Sequence, residues 1–352
     1  MSFNNLKILS VDQWDDRQTK KTFLDRLISE NFDKIYIFTQ NEFEFHTAFD
    51  EFIYPFLGHY IETKNLNVDL ITGIPPESDR MPKYKGLNVH YWETYWLTKT
   101  FAMQQHDRLI SERQQQIEKR NNLKYHFIMM NNRSHEFRAK LIDLVTEMDI
   151  LKYGAVSWHE TDKFLLNSFE FKYYDGKTRT LDAKYFTELG GQYSLPDQYF
   201  ESFAQLISES TPDILFFSEK ISTALLNGKP FLAAASPGMH LYLNQRLGIK
   251  YYDEIFDYAF DFELDMDKRW FMIVENFKNL CKYSLSQLED LNNTMQDKIK
   301  YNQNRAIEVS NDMSFMPLPI REYFLAYKNE KFSINTDRHL SAIFEALIPT
   351  KI

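Results

Sequence analysis

Apolar and polar residues alternate along this chain in two rhythms. Short runs rich in β-branched and aromatic side chains recur, and between them apolar positions fall three and four apart. The runs at 6–11 (LKILSV), 34–39 (KIYIFT), 67–74 (NVDLITGI) and 87–91 (LNVHY) predict four buried strands. Helical spacing at 19–30, 43–63 and 93–105 predicts a helix after each of the first, second and fourth, with Pro55 kinking or interrupting the second helix. Strands that alternate with helices predict a parallel sheet covered on both faces.

The rhythm restarts after a strongly polar stretch at 107–122 (DRLISERQQQIEKRNN). Residues 124–130 (KYHFIMM) predict a strand, and Asn132 or Ser134 is placed to cap the helix after it. That helix carries an apolar stripe of Phe137, Leu141, Leu144, Val145 and Met148. Short strands are expected at 155–158 and 203–208, and 162–194 shows no regular period. A compact α/β unit spans 213–248. An apolar run at 213–217 leads to a helix capped by Ser218 and stopped at Asn227-Gly228. A strand at 230–235, a Ser236-Pro237-Gly238 turn and a helix at 239–247 complete it. Residues 268–310 predict one long helix or two shorter ones. The expected organisation is α/β with two domains, 1–120 and 121–320, and a helical tail at 321–352 returning toward the first.

Composition narrows the chemistry. Only 10 glycines occur in 352 residues, and neither GxGxxG nor GxxxxGK[ST] is present, so a glycine-rich phosphate cradle is not expected. A single cysteine, Cys281, excludes an intrachain disulfide framework and suits a reducing, cytoplasmic compartment. The formal net charge of −9 weighs against nucleic acid as a partner unless a local strip such as Lys119, Arg120, Lys124 and Arg133 serves. No apolar stretch reaches 18 residues, so no membrane span is expected, and the opening MSFNNLKILSVDQW does not read as a signal peptide.

Charge placement supplies the candidate site. Glu219 and Lys220 fall in the first turn of a predicted helix, where free N–H groups already make the end positive. A lysine there is favoured when an anion faces it, and a nucleoside diphosphate is such an anion. Arg133, Arg138 and Glu209 join this pair near predicted strand C-terminal ends, the edge where open parallel sheets bind ligands. Solvated charges in ordinary salt bridges are the plain alternative.

Residues 131–144 (NNRSHEFRAKLIDL) resemble the N-R-x-H-R-x-x-L segment of viral and bacterial glycosyltransferase-like proteins, with His135-Glu136 standing where those carry His-Arg. Residues 217–261 resemble their second segment, and its Ser218-Glu219-Lys220 is similar to the donor-binding stretch of α-1,3-fucosyltransferases and exostosin-like enzymes. The resemblance covers about 124–261. It implies a GT-B-like architecture of two Rossmann-like domains facing across a cleft, without a metal or cofactor and with a nucleotide sugar as co-substrate. It implies that Arg133 and Lys220 bind the diphosphate and Glu219 the ribose, with Arg138, Glu209 and Ser218 beside them.

The acceptor would be a glycan or another hydroxyl compound. The base that takes its proton is expected in the first domain, where His90 and Glu93 follow the fourth strand and His46 and Asp50 are weaker candidates. Tyr91 and Trp92, with Tyr95 and Trp96, could stack on a sugar or simply pack in a core. Two other functions share this pattern: a glycosyltransferase acting on a hydroxylated base of phage DNA, and a binding protein without turnover. Asp265-Met266-Asp267 has the letters of a metal-binding DxD but reads as solvated surface, and no HExxH or GxSxG occurs.

Overall fold

The computed structural model describes residues 6–10, 34–39, 58, 61–63, 68–72, 83–91, 122–131, 134–159, 169–181, 195–209, 212 and 215–311. The chain divides into two compact units, Met1–Thr98 with Asn311–Ile352, and Lys99–Ser310. Expectations for the helices at 19–30 and 93–105, most of 43–63, the polar stretch at 107–121, and the tail beyond 311 lie outside the described residues.

The first unit holds four parallel strands in the order β1-β2-β3-β4. They are β1 (Leu6–Ser10), β2 (Lys34–Thr39), β3 (Val68–Thr72) and β4 (Leu87–Tyr91). Each strand pairs with its predecessor, so the sheet grows in one direction. Val68 and Leu70 are buried on β3, and Asp69 between them is buried on the opposite face.

The second unit is a doubly wound parallel sheet of β5 (Tyr125–Met129), β6 (Gly154–Val156), β7 (Ser202–Ser208) and β8 (Phe231–Ala234). The strand order is β6-β5-β7-β8, all parallel. Every residue of β6, β7 and β8 is buried, the mark of strands covered on both faces. Helix α1 (Glu136–Glu147) links β5 to β6. The short α2 (Asp197–Phe200) precedes β7, and α3 (Glu219–Leu226) links β7 to β8. After β8 come α4 (Met239–Gln245), α5 (Met266–Leu280), α6 (Leu285–Thr294) and α7 (Gln296–Asn311). One face packs Phe127 on Phe277 of α5, and the other packs Ile128 and Ala155 on Tyr199 and Phe200. Gly154 is required where β6 meets β5. A Cβ there would sit 2.5 Å from the Phe127 ring, so Gly154→Ala is expected to lower stability by about 1–3 kcal/mol in urea unfolding.

Several local expectations need correction. Of the apolar run at 213–217, residues 215–217 form a connection, and the strand before α3 is β7. Residues 266–311 form three helices, because Ser284 builds a capping box with Gln287 and a break falls at Met295. The cap of α1 is His135, not Asn132 or Ser134, and its side chain makes no capping bond. The buried face of α1 includes Arg138, Ile142 and Asp143 as well as Leu141 and Val145, while Phe137, Leu144 and Met148 are half-buried. Asp143 explains part of that rotation. Its carboxylate accepts the backbone N–H groups of Lys172, Tyr173 and Tyr174 at 3.1, 2.8 and 2.7 Å. A charged acceptor so tethers residues 169–181, which form no helix of their own. Phe171 and Tyr174 then pack edge-on against Trp158, just past β6.

Candidate functional site

The strand order fixes where the second unit can build a site. The chain leaves β5 for β6 on one side, then crosses back to β7 on the other. Ligands of such sheets lie outside the strands' C-terminal ends, where the connections diverge. Here that switch point lies between β5 and β7.

The segments after these two strands carry the sequence-predicted residues. Glu209 directly follows β7 and is 1% exposed. Its Oε1 accepts the Ser218 hydroxyl at 2.8 Å and the Ser218 N–H at 3.3 Å. Ser218 caps α3 as expected, its Oγ accepting the Lys220 N–H. The Lys220 ammonium lies 3.5 Å from Glu209 Oε2. An anion therefore does face this lysine, and within the chain it is Glu209. Glu219 is the first residue of α3. Arg138 lies in the first turn of α1 and is buried. Arg133 lies outside the described residues.

Sequence reasoning missed a polar row along the same edge. Asn131 follows β5 and is 0% exposed. Its N–H donates to Ser157 Oγ, past β6, at 3.0 Å, and its Oδ1 accepts the Ser208 hydroxyl, from the end of β7, at 2.6 Å. Among the described residues, the buried side-chain atoms without a hydrogen-bond partner include Asn131 Nδ2, Trp158 Nε1 and Ser236 Oγ, beside others elsewhere in the fold. Each of these three stands two residues beyond its strand, β5, β6 and β8 respectively. Buried polar groups in folded proteins are nearly all bonded, so a row of exceptions at a ligand edge is informative. A polar residue just past a buried strand was the signal in the sequence.

The end of β8 is organised differently. Gly238 adopts φ 76° before α4, and Asp261 accepts the N–H groups of His240 and Leu241 at 3.2 and 2.7 Å. Burial holds the Asp261 carboxyl above its ordinary range, with those hydrogen bonds and Arg269 pulling the other way. The anion at the start of α4 is thus the chain's own. Asp265 caps α5 by accepting the Lys268 N–H at 3.0 Å, which holds its carboxyl below the usual range. Its role is a helix cap on the surface. A shallow cleft of about 560 Å³ is lined by Tyr251, Asp253, Tyr258 and Asn276. Two of its polar groups are committed already: Asp253 to Lys298, and the Asn276 amide to the Asp257 backbone.

In the first unit, His90 stands near the C-terminal end of β4, opposite Ile71 of β3. Its Nε2 lies 2.7 Å from Asp69 Oδ1. A carboxylate only accepts, so Nε2 is the nitrogen that donates in this contact and Nδ1 is the other ring nitrogen. The His90 side chain is about a quarter exposed and that of Asp69 is buried. Asp69 is a partner that sequence reasoning missed; β3–β4 pairing creates it. Tyr91 ends β4 half-buried. Glu93, Trp92, Tyr95, Trp96, His46 and Asp50 lie outside the described residues.

No protein-family model matches the chain, and neither a curated protein nor a solved structure matches it. Among the described residues no helix is long and apolar enough to cross a membrane. Among them, too, no three His, Cys, Asp or Glu side chains are grouped to hold a metal ion.

Proposed function

We propose that the protein is a glycosyltransferase that moves a sugar from a nucleoside-diphosphate donor to a hydroxyl acceptor, with a glycan as the favoured acceptor. One observation supports the proposal: the β6-β5-β7-β8 order sets the start of α1, with Arg138 in its first turn, and the Glu209–Ser218–Lys220 constellation at the two strand ends that flank one switch point. The finer architecture, two Rossmann-like domains facing across a GT-B-type cleft, belongs to the same proposal. Lys220, Arg133 and Arg138 would stabilise charge on the departing diphosphate, and Glu219 would accept from ribose hydroxyls. His90, held by Asp69, would take the acceptor's hydroxyl proton at Nδ1. The acceptor oxygen then bonds to the anomeric carbon, and the bond to the diphosphate oxygen breaks with its electron pair leaving on the nucleotide.

Calorimetric titration of the full chain with UDP, GDP and other nucleoside diphosphates is the test. Binding of at least one is expected, and Lys220→Ala should weaken it about 10-fold, the scale of one charge-assisted contact. Absence of binding across the set, or affinity unchanged in Lys220→Ala, defeats the proposal.

A binding protein without turnover is the second reading. The Glu209–Lys220 pair favours it, since the lysine has an internal counter-ion and a structural purpose. Nucleotide binding with no sugar release over hours, with or without glycan acceptors, would decide for it.

A further inference from the structure

We infer that Asn131 is a ligand-binding residue of the β5–β8 edge, whose side-chain amide donates to a phosphate oxygen of the bound molecule. The inference rests on the nucleotide-donor reading for the identity of the whole ligand, but not for the phosphate contact itself.

The geometry makes Asn131 a prepared donor. Ser157 beyond β6 accepts its backbone N–H, and Ser208 of β7 donates to its Oδ1, so both flanking strands hold the residue. Its carbonyl oxygen is committed, while Nδ2 has no partner among the described residues at 0% exposure. Leaving a buried donor unsatisfied is costly, and a fixed donor binds a ligand without losing side-chain freedom. The residue also sits at the switch point, four positions before His135, the cap of α1. A twelve-residue helix directs positive potential from that end, partly offset by Glu136 in its first turn. Glu209, just past the neighbouring strand, accepts the Ser218 hydroxyl and lies 3.5 Å from the Lys220 ammonium, which lowers its repulsion of an anion while leaving the lysine shared between the two.

Two more of the buried donors without a partner stand past strands of the same edge, and their spacing sets the length a ligand would need to reach all three. Trp158 past β6 and Ser236 past β8 bracket Asn131 along the edge. Three strand spacings separate β6 from β8, about 14 Å in all. An extended molecule rich in acceptor oxygens suits such a row better than a single compact anion. A diphosphate carrying groups at both ends has that form.

The experiment uses the full-length protein with inorganic pyrophosphate and, separately, the nucleoside diphosphates. Binding is followed by calorimetry for wild type, Asn131→Ala and Asn131→Ser. The side-chain NH₂ resonances of Asn131, assigned by their loss in Asn131→Ala, are followed by ¹⁵N NMR. Wild type is expected to bind pyrophosphate, both variants to bind it about 10-fold more weakly, and the Asn131 resonances to move on saturation. A folded variant with undiminished affinity, or resonances that stay still at saturation, overturns the inference. Should both variants fail to fold, assignment by sequential labelling lets the wild-type resonances decide. Pyrophosphate binding that moves Asn131 without any nucleoside diphosphate binding keeps the phosphate contact and removes the nucleotide reading. Nucleotide binding that needs Lys220 but ignores Asn131 does the reverse, and a wild type that binds neither probe removes both.

Discussion

Acidification from pH 6.5 to pH 5 is expected to cost the second unit about 2 kcal/mol through His240 alone. His240 is 3% exposed, ringed by Phe231, Tyr258 and Phe260. Its Nε2 accepts the Ala233 N–H at 3.0 Å, so the folded protein needs that nitrogen unprotonated. Burial pushes its pKa down to about 3, with the Ala233 contact as a weaker opposing influence. The unfolded chain gains a proton near pH 6.5 and the folded one does not, so the stabilisation is complete above pH 6.5. It falls as pH drops toward about 3. The slope is about 1.4 kcal/mol per pH unit. Asp261 acts with the opposite sign: burial raises its carboxyl pKa in the folded state, so acidification through that range adds stability, and it does so equally in wild type and His240→Gln. Urea unfolding followed by tryptophan fluorescence at pH 7.5, 6, 5.5 and 5 reads the effect. His240→Gln keeps an acceptor for Ala233 and removes the titration, so its curve should be flatter by that slope. Equal slopes in the two proteins would refute the assignment.

The fold was legible where buried strands were short and bounded by turn chemistry. β2 and β4 span the same residues as the apolar pattern, and β1, β3, β5, β6, β7 and β8 differ from it by one or two residues at one or both ends. Ser218, Asn227 and Gly228 bound α3 because a hydroxyl cap and a glycine at φ 59° are local needs that sequence displays directly. Failures came where a distant partner decided. Arg138 and Asp143 turn the buried face of α1 away from its apolar stripe, and Asp143 does so for the backbone of residues 172–174. No periodicity announces a carboxylate that caps a loop thirty residues away.

The site divides along the same line. Glu209, Ser218 and Lys220 come together because one strand end and one helix start are joined by a short connection, which the sequence shows. Strand order is not a local property, so the switch point between β5 and β7 had to be seen. The same holds for Asp69 beside His90, and for Asn131 between Ser157 and Ser208. Each of these pairs joins residues on neighbouring strands far apart in the chain. Pairing register, and nothing in the intervening residues, creates them.

Lys229→Ala is expected to destabilise the second unit by about 3–5 kcal/mol, the scale on which buried charged contacts fail when one member is removed. Lys229 lies in the turn between α3 and β8 and is 1% exposed. Its ammonium donates to the carbonyls of Tyr199 and Ser202 and sits 4.8 Å from the Tyr199 ring centre. It thereby ties the turn before β8 to the start of β7, at the end of the sheet opposite the candidate site. Removing the side chain empties a long slot and strips two buried carbonyls of a donor at once. Lys229→Met separates the two effects. It refills most of the slot yet leaves the carbonyls without that donor, so a smaller loss of about 1–3 kcal/mol is expected. Urea midpoints for the three proteins order them wild type, Met, Ala. Equal stability of Met and wild type would mean that packing, not the ammonium, holds the turn. Because the lock lies away from Asn131 and Lys220, Lys229→Met should leave pyrophosphate and nucleotide affinity unchanged while the protein is folded. A loss of binding at full folding would show that the position of β7 at its start governs the geometry at its end.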